Sequence, residues 1–283
     1  MAILFSKKSR LLIIGNSPWG KKVASVVEKD SYFSVTTIGA RKFIQDNSFT
    51  LTLNSLDIVW ICTTPELQLL VLKIIASTGG NTLVILEKPM IKNPSEHDLY
   101  RELGRQIPNL QISNPWSYSS MWQNFKEHIQ YENSQIQIRG IRQGPTQRTY
   151  LRPDQDWLFH DVMLLGDLSR CMGFELEFSH IKTLNNSRTL RVKGAIGSKI
   201  DFDIEGGYAG NRLAEWVVHV GLGEVTMNFE SNSARYSSRK SSLTEEFYEY
   251  HDNPLLTMLQ TFITSLDANS CFDRDINQLK VLG

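Results

Sequence analysis

Four short runs rich in apolar and β-branched residues and a fifth, shorter strand candidate, spaced by segments of helical length, limit what this chain can fold into. The runs are Arg10–Ile14 (RLLII), Val35–Ile38 (VTTI), Asp57–Cys62 (DIVWIC), Thr82–Leu86 (TLVIL) and Gln111–Ser113. Between them lie Lys21–Lys29, with Val23, Val26 and Val27 on one side, and Glu66–Ser77, with a Leu/Ile-rich face closed by Gly79-Gly80. Ser95–Leu103 follows, opening on a Ser N-cap before acidic residues. Strands without apolar/polar alternation are buried on both faces, and the intervening helices supply the cover. That is a parallel sheet in an α/β domain. The rhythm runs to residue 115, so residues 1–115 are predicted as one domain.

Beyond it the pattern changes. Ser119–Ile129 and Asp156–Cys171 have helical patterning. Gln135–Ile141, Glu177–Leu184, Thr189–Ile196, Lys199–Gly206, Glu215–Val220 and Gly223–Phe229 read as strands joined by short turns, with Gly197-Ser198 as a hairpin turn. Gly144–Gln155 and Ser231–Ser242 read as loops, and Leu255–Leu266 as a late amphipathic helix. Residues 116–283 are thus predicted as an α+β substrate and oligomerisation domain on a large, mostly antiparallel sheet.

Composition excludes several classes. Thirty Lys+Arg balance thirty Asp+Glu, which advertises neither a nucleic-acid nor a membrane partner. Cys62, Cys171 and Cys271 are scattered and form no CxxC pair, which fits a reducing compartment and argues against a disulfide framework or a zinc site. The start MAILFSKKSR is too short in its apolar part for a secretory signal, and the expected location is the cytoplasm. No metal is expected, because the remaining histidines show no ligand spacing.

The turn after the first run reads Gly15-Asn16-Ser17-Pro18-Trp19-Gly20. It is a GxGxxG phosphate turn with Ser for the second glycine. The first glycine permits the tight turn, and the last lets helix and strand pack closely. A dinucleotide pyrophosphate binds at such a helix N-terminus. A plain strand-to-helix turn fits the same six residues. The second strand ends in Gly39-Ala40-Arg41-Lys42, where an NAD-binding domain has a carboxylate for the ribose 2′-hydroxyl. Arg41 can fork onto a 2′-phosphate, so NADP(H) is favoured, with NAD(H) as the alternative.

Glu87-Lys88-Pro89 follows the fourth strand. Ligands of doubly wound sheets sit at the carboxyl ends of the strands, so Lys88 is aimed at the reaction site. Its ammonium can hydrogen-bond a hydroxyl or carbonyl oxygen and help move a proton. Asp156 and His160 stand at i and i+4, one face of a helix. A carboxylate beside an imidazole orients the ring and raises its proton affinity, though the same spacing also serves plain helix-surface pairs. Asp161 and Asp167 read as solvated or capping residues. Trp116, Tyr118, Trp122 and Trp157 suit either a sugar-binding wall or ordinary packing. Arg148 and Arg152 can meet an anionic substrate group or line a solvated loop.

Together Gly15–Gly20, Asp57–Pro65 (DIVWICTTP), Glu87-Lys88-Pro89 and Asp156 with His160 resemble the Gfo/Idh/MocA oxidoreductases, in order and spacing, over most of the chain. The resemblance implies a Rossmann domain, a second domain on an open antiparallel sheet, a dimer or tetramer packed through that sheet, and a bound NAD(P). It implies that Gly15, Asn16, Ser17, Trp19, Gly20, Arg41, Thr63, Thr64, Pro65, Glu87, Lys88 and Asn114 line the cofactor. It implies that Lys88 is catalytic, that His160 accepts or donates the proton, and that Asp156 orients it or touches substrate. Gln68 stands where the family commonly has histidine after Thr-Pro. The expected activity is hydride transfer between nicotinamide and a sugar, sugar-nucleotide or related hydroxyl or carbonyl substrate. Imine, thiazoline or tetrapyrrole reduction on the same fold is one alternative, and a non-catalytic dinucleotide-binding or sensor protein is another.

Overall fold

The computed structural model describes residues 8–46, 52–88, 90, 95–145, 151–152, 154–184, 188–238, 244–264, 272, 275–276 and 279. Pro89, Arg148 and Cys271 lie outside the described residues. These divide by contact into two compact units. One runs to Ser113 and takes in the described residues from Met258 onward; the other is Asn114–Thr257. The sequence reading assigns residues 116–283 to the second domain, and tertiary contacts group the described residues from Met258 onward with the first. Met258, Leu259 and Phe262 are buried, Gln260 donates a hydrogen bond to Asp30 (3.3 Å), and the Phe272 ring fills the space beside Gly104.

The first unit holds a five-stranded, wholly parallel sheet in the order β2-β1-β3-β4-β5. Its strands are β1 (Ser9–Ile14), β2 (Phe33–Ile38), β3 (Ile58–Ile61), β4 (Leu83–Leu86) and β5 (Leu110–Ile112). Every residue of β3, β4 and β5 is buried, as continuous apolar strands between two helical layers require. The helices are α1 (Pro18–Val27), α2 (Ala40–Gln45), α3 (Pro65–Thr78) and α4 (Glu96–Gln106). Two local expectations change. Ser95 sits in helical backbone and makes no side-chain cap bond. Residues Ala40–Gln45, for which no helix is expected, form the short α2. Because β1 lies between β2 and β3, the chain leaves it in opposite directions. The turns after β1 and β3 therefore flank a topological switch point, where doubly wound folds take ligands.

The second unit holds an eight-stranded sheet in the order β13-β12-β11-β10-β6-β9-β8-β7. Its strands are β6 (Ile136–Gly144), β7 (Leu176–Leu184), β8 (Thr189–Ile196), β9 (Ile200–Tyr208), β10 (Leu213–Val220), β11 (Gly223–Asn228), β12 (Ser233–Ser238) and β13 (Thr244–Glu249). All neighbours are antiparallel except β6 and β9. Buried residues alternate along β10 (Ala214, Trp216, Val218, Val220), so one face of the sheet makes the core. Against it stand α5 (Ser120–Gln130) and α6 (Phe159–Met172), with a π-helical turn over Asp154–Leu158 leading into α6. The helix α7 (Pro254–Thr264) closes the described order.

The expected Ser231–Ser242 loop is in part β12, paired to β11, and β13 adds an unforeseen outer strand. TEEFYE is polar as the outermost strand, where apolar alternation invites aggregation, and SARYSS lies one strand in, with only Ser233 and Ala234 buried. A reading built on apolar periodicity misses such strands.

Candidate active site

The phosphate-type turn is built by backbone geometry first. Gly15 has φ +135° and is packed so closely that a Cβ there would run into the carbonyl of Cys62. A Cβ on Gly20 would run into the carbonyl of Gly15. Both glycines are therefore demanded by the β1–α1 turn itself. Asn16, Ser17, Pro18 and Trp19 are exposed at its tip, and the Asn16 carboxamide reaches over to Gly39 at the end of β2. Ser17 caps α1, its hydroxyl accepting the Gly20 N–H at 3.3 Å, and Pro18 supplies no N–H. The first turn of α1 carries no acidic residue, so the dipole end stays open to an anion. A dinucleotide pyrophosphate fits here with fewer main-chain donors than a turn with a second glycine provides. At the end of β2, the first turn of α2 likewise has no acidic residue, and Arg41 is exposed on it.

Thr63, Thr64 and Pro65 form the turn from β3 into α3, with Thr64 at the N-cap position and Pro65 opening the helix. Glu87 and Lys88 leave the end of β4. Gln68 locks these two turns together. It is completely buried, and its Nε2 donates to the carbonyls of Thr63 and Glu87, each at 2.8 Å. Sequence reasoning assigns Gln68 no role. The available signal is a lone amide in the Leu- and Ile-rich run PELQLLVLKII, whose other polar residues are charged.

Glu87 does not present its carboxylate at the surface. It is buried, and Oε1 accepts the Trp60 indole N–H at 3.0 Å. Burial pushes this carboxyl above the usual range, only partly opposed by the hydrogen-bond donors around it and the Lys88 ammonium. The Cys62 thiol is pushed up as well, by burial and then by Glu87, so it stays protonated and unreactive. Lys88 is partly buried at the mouth of the β4 turn.

In the second unit, Asn114 and His160 come together. His160 Nδ1 faces Asn114 Oδ1 at 3.0 Å, and Asn114 Nδ2 donates to Ser117 Oγ at 2.6 Å. Spacing predicts Asp156 as the orienting partner of the ring, whereas at Nδ1 that place is held by Asn114. The regular α-helix assumed for that spacing begins only at Phe159; the buried Asp156 belongs to the π-helical turn before it. Asn114, read as a cofactor residue, thus has its side chain committed to His160 and Ser117.

Asp161 and Asp167 are not solvated capping residues. Asp161 is buried and takes a bidentate bond from Arg142 (2.8 and 3.0 Å) and the Trp216 indole N–H (2.9 Å). Arg142 also lies over the Phe229 ring at 4.9 Å. Asp167 accepts from Trp122 (2.6 Å) and Lys126 (2.9 Å). Trp122 is fully buried against Trp216 and Phe125, which makes it core rather than a sugar wall. Trp157 stacks edge-on with Tyr208.

No protein-family model matches the chain, and no curated protein matches it in sequence. Solved structures do match in fold over nearly its whole length. UDP-N-acetylglucosamine 3-dehydrogenase GnnA from Acidithiobacillus ferrooxidans aligns with a TM-score of 0.72 at 13% identity, covering 96% of each chain. KijD10, a 3-ketoreductase from Actinomadura kijaniata in complex with TDP-benzene and NADP, aligns at 0.75 and 11% identity over 96% of this chain and 95% of that one. Aldose-aldose oxidoreductase from Caulobacter crescentus, complexed with glycerol, aligns at 0.77 and 10% identity over 98% and 96%. These structures are Gfo/Idh/MocA-type oxidoreductases, and this chain has their two-domain fold.

Proposed function

We propose that the chain is an NAD(P)-dependent oxidoreductase of the Gfo/Idh/MocA kind, acting at a hydroxyl-bearing carbon of a sugar or sugar nucleotide. The observation that carries this reading is Lys88 at the carboxyl end of β4, held by the Gln68 bridge beside the β3 turn, in a chain with this fold. The bound nicotinamide supplies the hydride acceptor or donor. The chain's own residues handle the proton. Lys88 donates a hydrogen bond to the substrate oxygen, and His160 takes the hydroxyl proton on oxidation and returns it on reduction. Asp156 contacts the substrate or His160. The turn tip at Asn16–Trp19 and the Thr63–Pro65 turn hold the dinucleotide. Arg41 meets a 2′-phosphate, so NADP(H) is preferred. Residence in the cytoplasm and assembly through the second unit's sheet belong to the same proposal, on the strength of the resemblance.

The test is a fluorescence titration with NADPH and NADH side by side, then a turnover screen with nucleotide-linked and free sugars. Tight NADPH binding and turnover are expected, with Lys88→Ala and His160→Ala each lowering kcat by about 10²–10⁴-fold. Arg41→Ala should weaken NADPH more than NADH, and equal weakening of both would remove the 2′-phosphate role. No binding of either nucleotide would make a non-catalytic reading the better one. Ser17 and Pro18, which withdraw main-chain donors from the phosphate turn, favour that second reading.

A further inference from the structure

We propose that Asn114 is a positioning residue that sets the tautomer of His160, keeping the proton on Nδ1 so that Nε2 carries the lone pair. The tautomer follows from geometry alone; its use in catalysis rests on the oxidoreductase reading above.

Asn114 is buried, 2% exposed, so its amide is not free to trade partners with solvent. It stands just before a one-turn helix, Pro115–Tyr118, that brings Ser117 back beside it. Ser117 N–H donates to the Asn114 carbonyl (3.1 Å), while the Ser117 carbonyl accepts from Gln123 Nε2 (2.5 Å) on α5. Ser119 caps the same helix through the Trp122 N–H (3.2 Å). The backbone of Ser117 is thus held by the start of α5, and its hydroxyl lies at 2.6 Å from Asn114 Nδ2. With Asn114 Nδ2 donating to that hydroxyl, Oδ1 is the atom turned to His160. An amide oxygen only accepts, so the facing Nδ1 must carry hydrogen. In the neutral ring this places the lone pair on Nε2.

The partner's chemistry matters. A carboxylate at this place would fix the same tautomer and also stabilise the imidazolium by its charge. An uncharged amide at Nδ1 orients the ring without adding a charge at that atom. The Nδ1–H···Oδ1 bond is the same in neutral imidazole and in imidazolium, so His160 can take and return a proton at Nε2 with no rearrangement behind it. That suits a reversible hydroxyl/carbonyl conversion.

The experiment is long-range proton–nitrogen NMR on protein carrying ¹⁵N-histidine, at about pH 8.5, above the ordinary imidazole range. The chain has six histidines, and the His160→Gln spectrum identifies the signals of interest. The wild type should show Nδ1 protonated and Nε2 unprotonated. Asn114→Leu should move the proton toward Nε2, and Asn114→Asp should hold it on Nδ1. Ser117→Ala, a milder change, should give a mixture because the amide loses its anchor. Nε2–H in the wild type, or a tautomer unmoved in both Asn114→Leu and Ser117→Ala, would overturn the proposal. In turnover, Asn114→Leu should lower kcat about 10²-fold or more with KM little changed, and Asn114→Asp should recover most of it. An unchanged kcat in a variant whose tautomer has moved would overturn the positioning role. A wild type that binds no dinucleotide while showing the Nδ1–H tautomer would count against the oxidoreductase reading and for the tautomer.

Discussion

Each unit buries a carboxyl next to a predicted catalytic residue, and the two are accommodated in opposite ways. Glu87, beside Lys88, accepts a hydrogen bond from a neutral indole and is pushed toward its protonated form. Asp161, beside His160, faces a guanidinium in a bidentate pair and a second indole. The first unit holds its site with neutral groups and main-chain carbonyls at the ends of strands. The second ties helix to sheet with a buried charge pair, stable only while both partners are present. The lesson is that two equally buried acids can be given quite different partners, an indole in one unit and a guanidinium with an indole in the other.

The comparison is broken or sharpened by substitution. Asp161→Ala leaves Arg142 buried and unpaired and should destabilise by about 3–5 kcal/mol in urea unfolding. Replacing both partners together, Asp161→Leu with Arg142→Met, should recover most of that loss, and no recovery would show that the pair is not the source. Gln68→Leu strips the donors from the Thr63 and Glu87 carbonyls and should cost about 1–3 kcal/mol. An unchanged unfolding midpoint would mean that those carbonyls find other donors.

Glu87→Gln should behave oppositely to Asp161→Ala. A carboxyl whose folded pKa is raised contributes fully below its unfolded value and loses that contribution as pH rises through the folded one. The non-titrating amide should therefore gain on the wild type as pH rises above the ordinary carboxylate range, by about 2–4 °C of melting midpoint per kcal/mol. A gain that is flat with pH would show that Glu87 does not titrate as its burial requires. Smallest is Ser17→Gly, which releases the Gly20 N–H for an anion. It should tighten dinucleotide binding about fivefold, one hydrogen bond's worth, while costing a few tenths of a kcal/mol of cap stability. Weaker binding would mean that the serine hydroxyl itself serves the phosphate.

Much of the fold was legible because periodicity reports burial. RLLII, DIVWIC and TLVIL have no polar face to offer solvent, so their place in a doubly covered sheet follows from composition over a few residues. The glycines at 15 and 20 were legible because only a residue without Cβ fits a carbonyl that close. Polar β12 and β13 were hidden, since strands without apolar alternation carry little of that signal. So was the Gln68 bridge, whose two acceptors are main-chain atoms of residues 63 and 87.

The sequence by itself determined the parallel sheet, the turn at Gly15–Gly20, the strand-end position of Lys88 and the helical neighbourhood of His160. Each is a property of a few consecutive residues. Only the tertiary structure decided which atoms those residues meet. It gave His160 Nδ1 to Asn114 rather than to Asp156, buried Asp161 on Arg142, turned the Glu87 carboxyl inward, and joined the described residues from Met258 onward to the first unit. The physical reason is one of range. Backbone preference and apolar periodicity act between near neighbours, while a hydrogen bond between residues 114 and 160 exists only after the chain between them has folded.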